Sequence, residues 1–270
     1  MDQPSLDGCR EKIKRAVKHT NELNQEVDAF WDTKPCRAVG EFDPETGWLR
    51  IKMTVSEYPR PRWGVIVGDI AHNLRSALDH LVWQLVLAAG KRPGRHNFYP
   101  VFTDRDEFFC AVEMPARQGK GPLGGVPLDS HAWKVIEKYQ PYNAGDKAQF
   151  GPLRVLTLLS NTDKHRFIHP AFAALEEGTV WFDVGTRDVT GAHETVLRLH
   201  AGRSFKDGTP VLDLRYRVTG PNPDVQMEGD FPAYVAFGDP SRAIKATTFP
   251  GFCELIELLV KLIQPQVEGG

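Results

Sequence analysis

Two stretches of this 270-residue chain gather ionisable side chains at helical spacing. The first runs Gly68-Asp69-Ile70-Ala71-His72-Asn73-Leu74-Arg75-Ser76-Ala77-Leu78-Asp79-His80-Leu81. At 3.6 residues per turn, His72, Arg75 and Asp79 lie together, opposite a stripe of Ile66, Ile70, Leu74, Leu78, Leu81 and Leu85. Arg75 and Asp79 are one turn apart and can pair. Such a cluster can titrate and hold a charged ligand, or it can be a solvated face with one weak ion pair.

The second stretch is Leu158-Leu159-Ser160-Asn161-Thr162-Asp163-Lys164-His165-Arg166. Val155, Leu158, Leu159 and Thr162 read as the inward face of a helix, and the same spacing carries on to His165, Arg166 and His169. An apolar stripe that turns cationic aims polar groups at an interior or a cleft. Buried charges there need partners, and Asp79 or Asp69 could supply one. Asp163, Lys164, His165 and Arg166 are therefore expected to form a binding segment. The alternative is a helix that ends near Asn161 and gives way to a polar loop. His19, His96, His131, His193 and His200 have no convergent neighbour in sequence and read as surface or ordinary core.

Glycine-rich phosphate loops, G-x-S-x-G elbows and H-E-x-x-H helices are absent from the sequence. His165 and His169 are four apart, a spacing that would put two imidazoles on one helical face, with His72 to complete a three-histidine metal site. Pro170 opposes that geometry at His169. No resident metal or cofactor is expected.

These segments need long helices to position them. Leu6, Cys9, Ile13, Ala16, Thr20, Leu23, Val27 and Phe30 recur in steps of three and four. That seam predicts a first helix packed along a partner helix, in this chain or in a second copy, so a homodimer through the N-terminal helix is one expectation. Leu49, Ile51, Met53 and Val55 alternate with polar residues as in a half-buried strand, paired to Arg37–Phe42 through a turn at residues 43–47. A second helix is expected from about Val65 to Ala89. The glycine- and proline-rich stretch 91–127 reads as a long functional loop or lid. Asp129 or Ser130 caps a short helix to Tyr139, and Pro152 opens another through about Phe167. Strand patterning runs from Thr179 to about Phe237, and a last helix over 251–264 stops at Pro265.

The expected architecture is a single α+β domain over 1–270, a bundle of long helices packed with a mostly antiparallel β-sheet. Residues 1–175 would be mainly helical with one hairpin, and 176–250 strand-rich. A formal charge of −2 argues against a broad nucleic-acid footprint while leaving room for a local basic site. Four scattered cysteines read as reduced thiols of a cytoplasmic protein. The first residues carry no visible signal peptide, and the longest apolar run is too short for a bilayer, so no membrane partner is expected.

H-N-L-R-S-A-L-D-H-L (72–81) together with L-S-N-T-D-K-H-R (159–166) resembles a family of uncharacterised bacterial and phage proteins, over most of the chain. Arg75-Ser-Ala-Leu-Asp-His80 also resembles the R-x4-H spacing of the HEPN superfamily, helical proteins that include metal-independent ribonucleases of toxin and antiphage systems. That resemblance implies RNA as partner. A ribose 2′-hydroxyl would attack the adjacent phosphate, with His80 as acid or base and Arg75 neutralising the developing charge. Asp79 and His72 would stand beside them. Where such nucleases usually carry Asn, Asp or His after the arginine, this chain has Ser76. The His72, His165 and His169 set is similar instead to DinB-like metal-binding bundles. A third reading is a non-enzymatic binding or structural protein whose polar segments form an internal network.

Overall fold

The computed structural model describes residues 3–174, 181–200, 203–230, 233–238 and 244–269. In chain order it holds α1 (Asp7–Asp32), β1 (Cys36–Asp43), β2 (Trp48–Val55), α2 (Arg62–Ala88), α3 (Arg105–Phe108), α4 (Met114–Ala116), α5 (His131–Lys138) and α6 (Pro152–His165). There follow β3 (Pro170–Ala174), β4 (Trp181–Arg187), β5 (Val189–Leu197), β6 (Ser204–Phe205), β7 (Pro210–Val218), β8 (Asp224–Asp230), β9 (Ala233–Phe237), β10 (Ile244–Lys245) and α7 (Phe249–Glu268). The expected α+β class is what forms. The chain divides into two compact units that interleave in sequence, one of Met1–Leu23, Val65–Ile168 and Thr247–Gly270, the other of Asn24–Gly64 and His169–Ala246. Helices α1 and α2 therefore each contribute to both. Among the described residues no helix is long and apolar enough to cross a membrane.

In the helical unit the α1 seam is core. Leu6, Cys9, Ile13, Ala16, Thr20 and Leu23 are all buried, and Val27 and Phe30 continue the seam into the other unit. Helix α7 covers part of this stripe, with Thr20 Oγ1 3.7 Å from Cys253 Sγ. The Leu6 N–H donates to Glu268 Oε1 at 3.1 Å, and Arg10 forks onto the same carboxylate at 2.9 and 2.8 Å. The seam that a homodimer through α1 would use is thus closed within the chain. These contacts also explain why α7 does not stop at Pro265 as expected. Proline removes one backbone donor, but Gln266 Oε1 accepts the Ala132 N–H at 2.7 Å and Glu268 is held by α1, so the last turn persists.

Residues 91–127 are no free lid. Tyr99, Phe108, Val112, Ala116, Leu123 and Val126 are buried, and a helical passage from Arg105 to Ala116 includes a π-type turn at Phe109–Glu113. The apolar anchors are too widely spaced for a period to show, yet each removes surface from water. Ser130, not Asp129, caps α5, accepting the Trp133 N–H at 3.1 Å.

In the second unit, β1 and β2 form the predicted hairpin, with Leu49, Ile51 and Met53 buried and Asp43 Oδ1 accepting the Glu45 N–H at 3.1 Å in the turn. They lie inside an antiparallel six-stranded sheet of order β4-β8-β1-β2-β7-β5, while β10-β9-β3-β6 form a separate four-stranded sheet. Strand structure begins at Pro170, earlier than the pattern suggested, and the expected start at Thr179 lies outside the described residues. The core of this unit is aromatic. Phe30 meets Trp63 edge-on with ring centroids 5.2 Å apart, and Phe172 stacks on Phe205, also at 5.2 Å.

If the α1 seam is the core of the bundle, Leu23→Ala costs about 2–5 kcal/mol in urea unfolding. Val17→Ala, on the exposed side of the same helix, changes stability by no more than about 0.5 kcal/mol. Equal effects at the two positions would refute the assignment.

Candidate functional site

Helix α2 carries the first polar segment through the middle of the helical unit. Its apolar face (Ile66, Val67, Ile70, Ala71, Leu74, Ala77, Leu78, Leu81, Val82, Leu85 and Val86) is wholly buried. Arg75 and Asp79 flank that face and pair, Nη2 to Oδ1, at 3.2 Å. Both also hold the main chain of one residue in the 91–127 connection. Arg75 Nη2 donates to the Tyr99 carbonyl oxygen, and Asp79 Oδ1 accepts the Tyr99 N–H at 2.9 Å. The Arg75 side chain is only 14% exposed. Burial pushes its pKa down from the usual guanidinium value while the Asp79 charge and the Tyr99 phenol oppose that shift. Burial likewise drives the Tyr99 phenol far above its ordinary range, so it stays protonated. The three residues form a clamp.

Gln140 makes a second tie on the same connection. Its side chain is buried just after α5; Nε2 donates to the Pro100 carbonyl at 2.9 Å, and Oε1 accepts the Phe102 N–H at 3.0 Å. Tyr99 and Gln140 were not singled out from sequence. A contact made through a residue's main chain leaves no side-chain signature, and a lone Gln carries no spacing.

His80 faces elsewhere. It packs over Gly8 of α1, where a Cβ would lie 3.2 Å from His80 Nδ1. Burial lowers its pKa first, and the Lys12 ammonium lowers it further, against the opposing Asp79 charge. The ring is neutral at pH 7 and still exposed. His72 is exposed on the outer side of α2. The R-x4-H pair is therefore divided: the guanidinium is bonded to Tyr99 and the imidazole rests on α1.

The second segment differs from expectation in which face of α6 turns inward. Leu153, Leu156, Leu159 and Ser160 are the buried positions, and the next step along that line is Asp163 rather than His165. The Asp163 carboxylate sits against Gly68 of α2 so closely that a Cβ there would overlap it. Asp163, Lys164, His165 and Arg166 are all exposed, and among the described residues no hydrogen bond joins Asp79 or His72 to His165 or Arg166. The helix ends at His165, with Arg166 in an extended conformation (φ −151°, ψ 158°), so His165 and His169 do not share a helical face. Among the described residues no three His, Cys, Asp or Glu side chains gather as a metal site would require.

Comparison with protein-family models, with curated proteins and with solved structures returns no match to this chain.

The clamp makes a direct prediction. Asp79→Ala leaves the Tyr99 N–H and the Arg75 guanidinium without their shared acceptor and costs about 1–3 kcal/mol. A double-mutant cycle with Arg75→Ala gives a coupling above about 0.5 kcal/mol. Amide exchange around Tyr99 speeds up in either variant. Additive effects with unchanged exchange would rule the clamp out.

Proposed function

We propose that this chain is a non-catalytic binding protein in which Arg75 and Asp79 fix the 91–127 connection on α2, making that connection a rigid part of the binding surface. One observation carries the reading: the Arg75 guanidinium is mostly buried, and its Nη2 is already bonded to the Tyr99 carbonyl and Asp79. A guanidinium held this way organises protein backbone, and removing it from those acceptors to meet a phosphate would leave buried groups unpaired. The four free cysteines support a reducing compartment, which favours the cytoplasm.

A HEPN-like metal-independent endoribonuclease is the second reading, and His80 favours it. An exposed imidazole that burial and Lys12 keep neutral at pH 7 has the protonation state of a general base.

Incubating single-stranded and structured RNA with the protein in chelator separates the two. The binding reading expects intact RNA, with Arg75→Ala lowering the melting temperature. Chelator-resistant cleavage that His80→Ala reduces by about 10²–10⁴-fold would overturn it in favour of the nuclease.

A further inference from the structure

Acidic residues are missing from the sequence between Asp79 and Asp104, and again between Glu113 and Asp129. Folding joins these two stretches. Asn97 Nδ2 donates to the Gly124 carbonyl at 2.9 Å and to that of Pro122 at 3.4 Å, while the Phe98 N–H donates to the Pro122 carbonyl at 3.3 Å. Within the loop, Asn97 Oδ1 accepts the Gly94 N–H at 2.8 Å. Lys91, Arg92, Arg95 and Lys120 are all exposed here, and among the described residues none of them has a carboxylate in ion-pair distance. Arg95 Nε instead donates to His96 Nε2 at 3.2 Å. By contrast Arg105 and Arg117, farther along the same connection, are both paired with Glu113. A chain of formal charge −2 thus carries, among its described residues, a cationic surface without carboxylate partners.

That surface is also aromatic. Phe98, within the same loop, is 41% exposed. Asp79 holds the N–H of Tyr99, the residue next to Phe98, so the clamp fixes the backbone that presents the Phe98 ring.

We propose that the 91–98 loop and Lys120 form a contact site for single-stranded RNA. Lys91, Arg92, Arg95 and Lys120 would meet backbone phosphates, and an unpaired base would stack on Phe98. The assignment rests on the binding reading above and names its ligand. Cations beside a rigid, exposed ring match a chain that alternates phosphate with a flat base. A duplex keeps its bases stacked and offers the ring nothing. An anionic membrane is matched by an amphipathic helix that buries an apolar face, whereas this is a loop held by hydrogen bonds.

The test is fluorescence anisotropy with labelled oligouridine and oligoadenine RNA, titrated with the full chain at several salt concentrations. Four phosphate contacts at about 0.7 each predict a log–log salt slope near −2.8. Combining Lys91→Glu, Arg92→Glu, Arg95→Glu and Lys120→Glu abolishes binding. The milder pair Arg92→Gln with Arg95→Gln flattens the slope by about 1.4 and keeps the test valid if the reversal unfolds. Phe98→Ala weakens binding about tenfold and leaves the slope unchanged. Three results would overturn the proposal: no RNA binding by the wild-type chain, unchanged binding by the folded charge variants, or tighter capture on phosphatidylserine vesicles than on RNA. Cleavage dependent on His80 would end the non-catalytic reading and leave this contact standing. Absence of RNA binding would end this contact and leave the coupling between Arg75 and Asp79 untouched.

Discussion

A guanidinium cannot stay under a protein surface without acceptors, and Arg75 obtains its acceptors from one residue of helix α2 and one peptide of the following connection. Desolvation alone would make such a group costly. The pairing with Asp79 and the Tyr99 carbonyl offsets that cost, and it does so only while residues 91–127 lie in place. Order in that long connection and tolerance of the buried charge are therefore one condition. Gln140 repeats the device with a neutral side chain, bonding the main chain on both sides of Val101. Pro100 and Phe102 are thereby tied to the end of α5 just as Tyr99 is tied to α2.

Close approach of helices is the second constraint. Gly8 lets the His80 ring lie on α1, and Gly68 lets the Asp163 carboxylate lie on α2. Each glycine stands where a polar side chain from a neighbouring helix needs the room, so two of the segments richest in polar residues are positioned by side chains that are absent. The histidine environment follows from this arrangement: the ring is partly desolvated by α1 and feels Lys12 from the same helix.

Regular elements could be read from the sequence because their signals are local and repeated. Every member of the α1 seam is buried, the hairpin turn sits where Asp43 and Gly47 place it, and Ser130 and Pro152 open their helices. Arg75 and Asp79 were legible as a pair for the same reason. Their joint partner was not, because Tyr99 takes part through its peptide group. The α6 reading slipped to the wrong line of the helix: Leu158 and Thr162 are only half-buried, while Ser160, a hydroxyl, is buried. Hydrophobicity marks a face poorly when the helix turns a serine inward. Pro265 and the glycine-rich connection misled in a related way, since tertiary bonds outweighed the local preference for breaking structure.

The bond between the Leu6 N–H and Glu268 spans 262 residues of sequence. On a ribosome, α1 emerges well before α7, the helix that covers part of its stripe. Throughout elongation that stripe has to wait, shielded by transient collapse or by a chaperone, because loop closure over such a length is slow and entropically unfavourable. The interleaving of the two units adds to the delay, since neither is a continuous stretch that could finish before the other begins. For this protein the most vulnerable interval of synthesis lies between the emergence of α1 and that of α7.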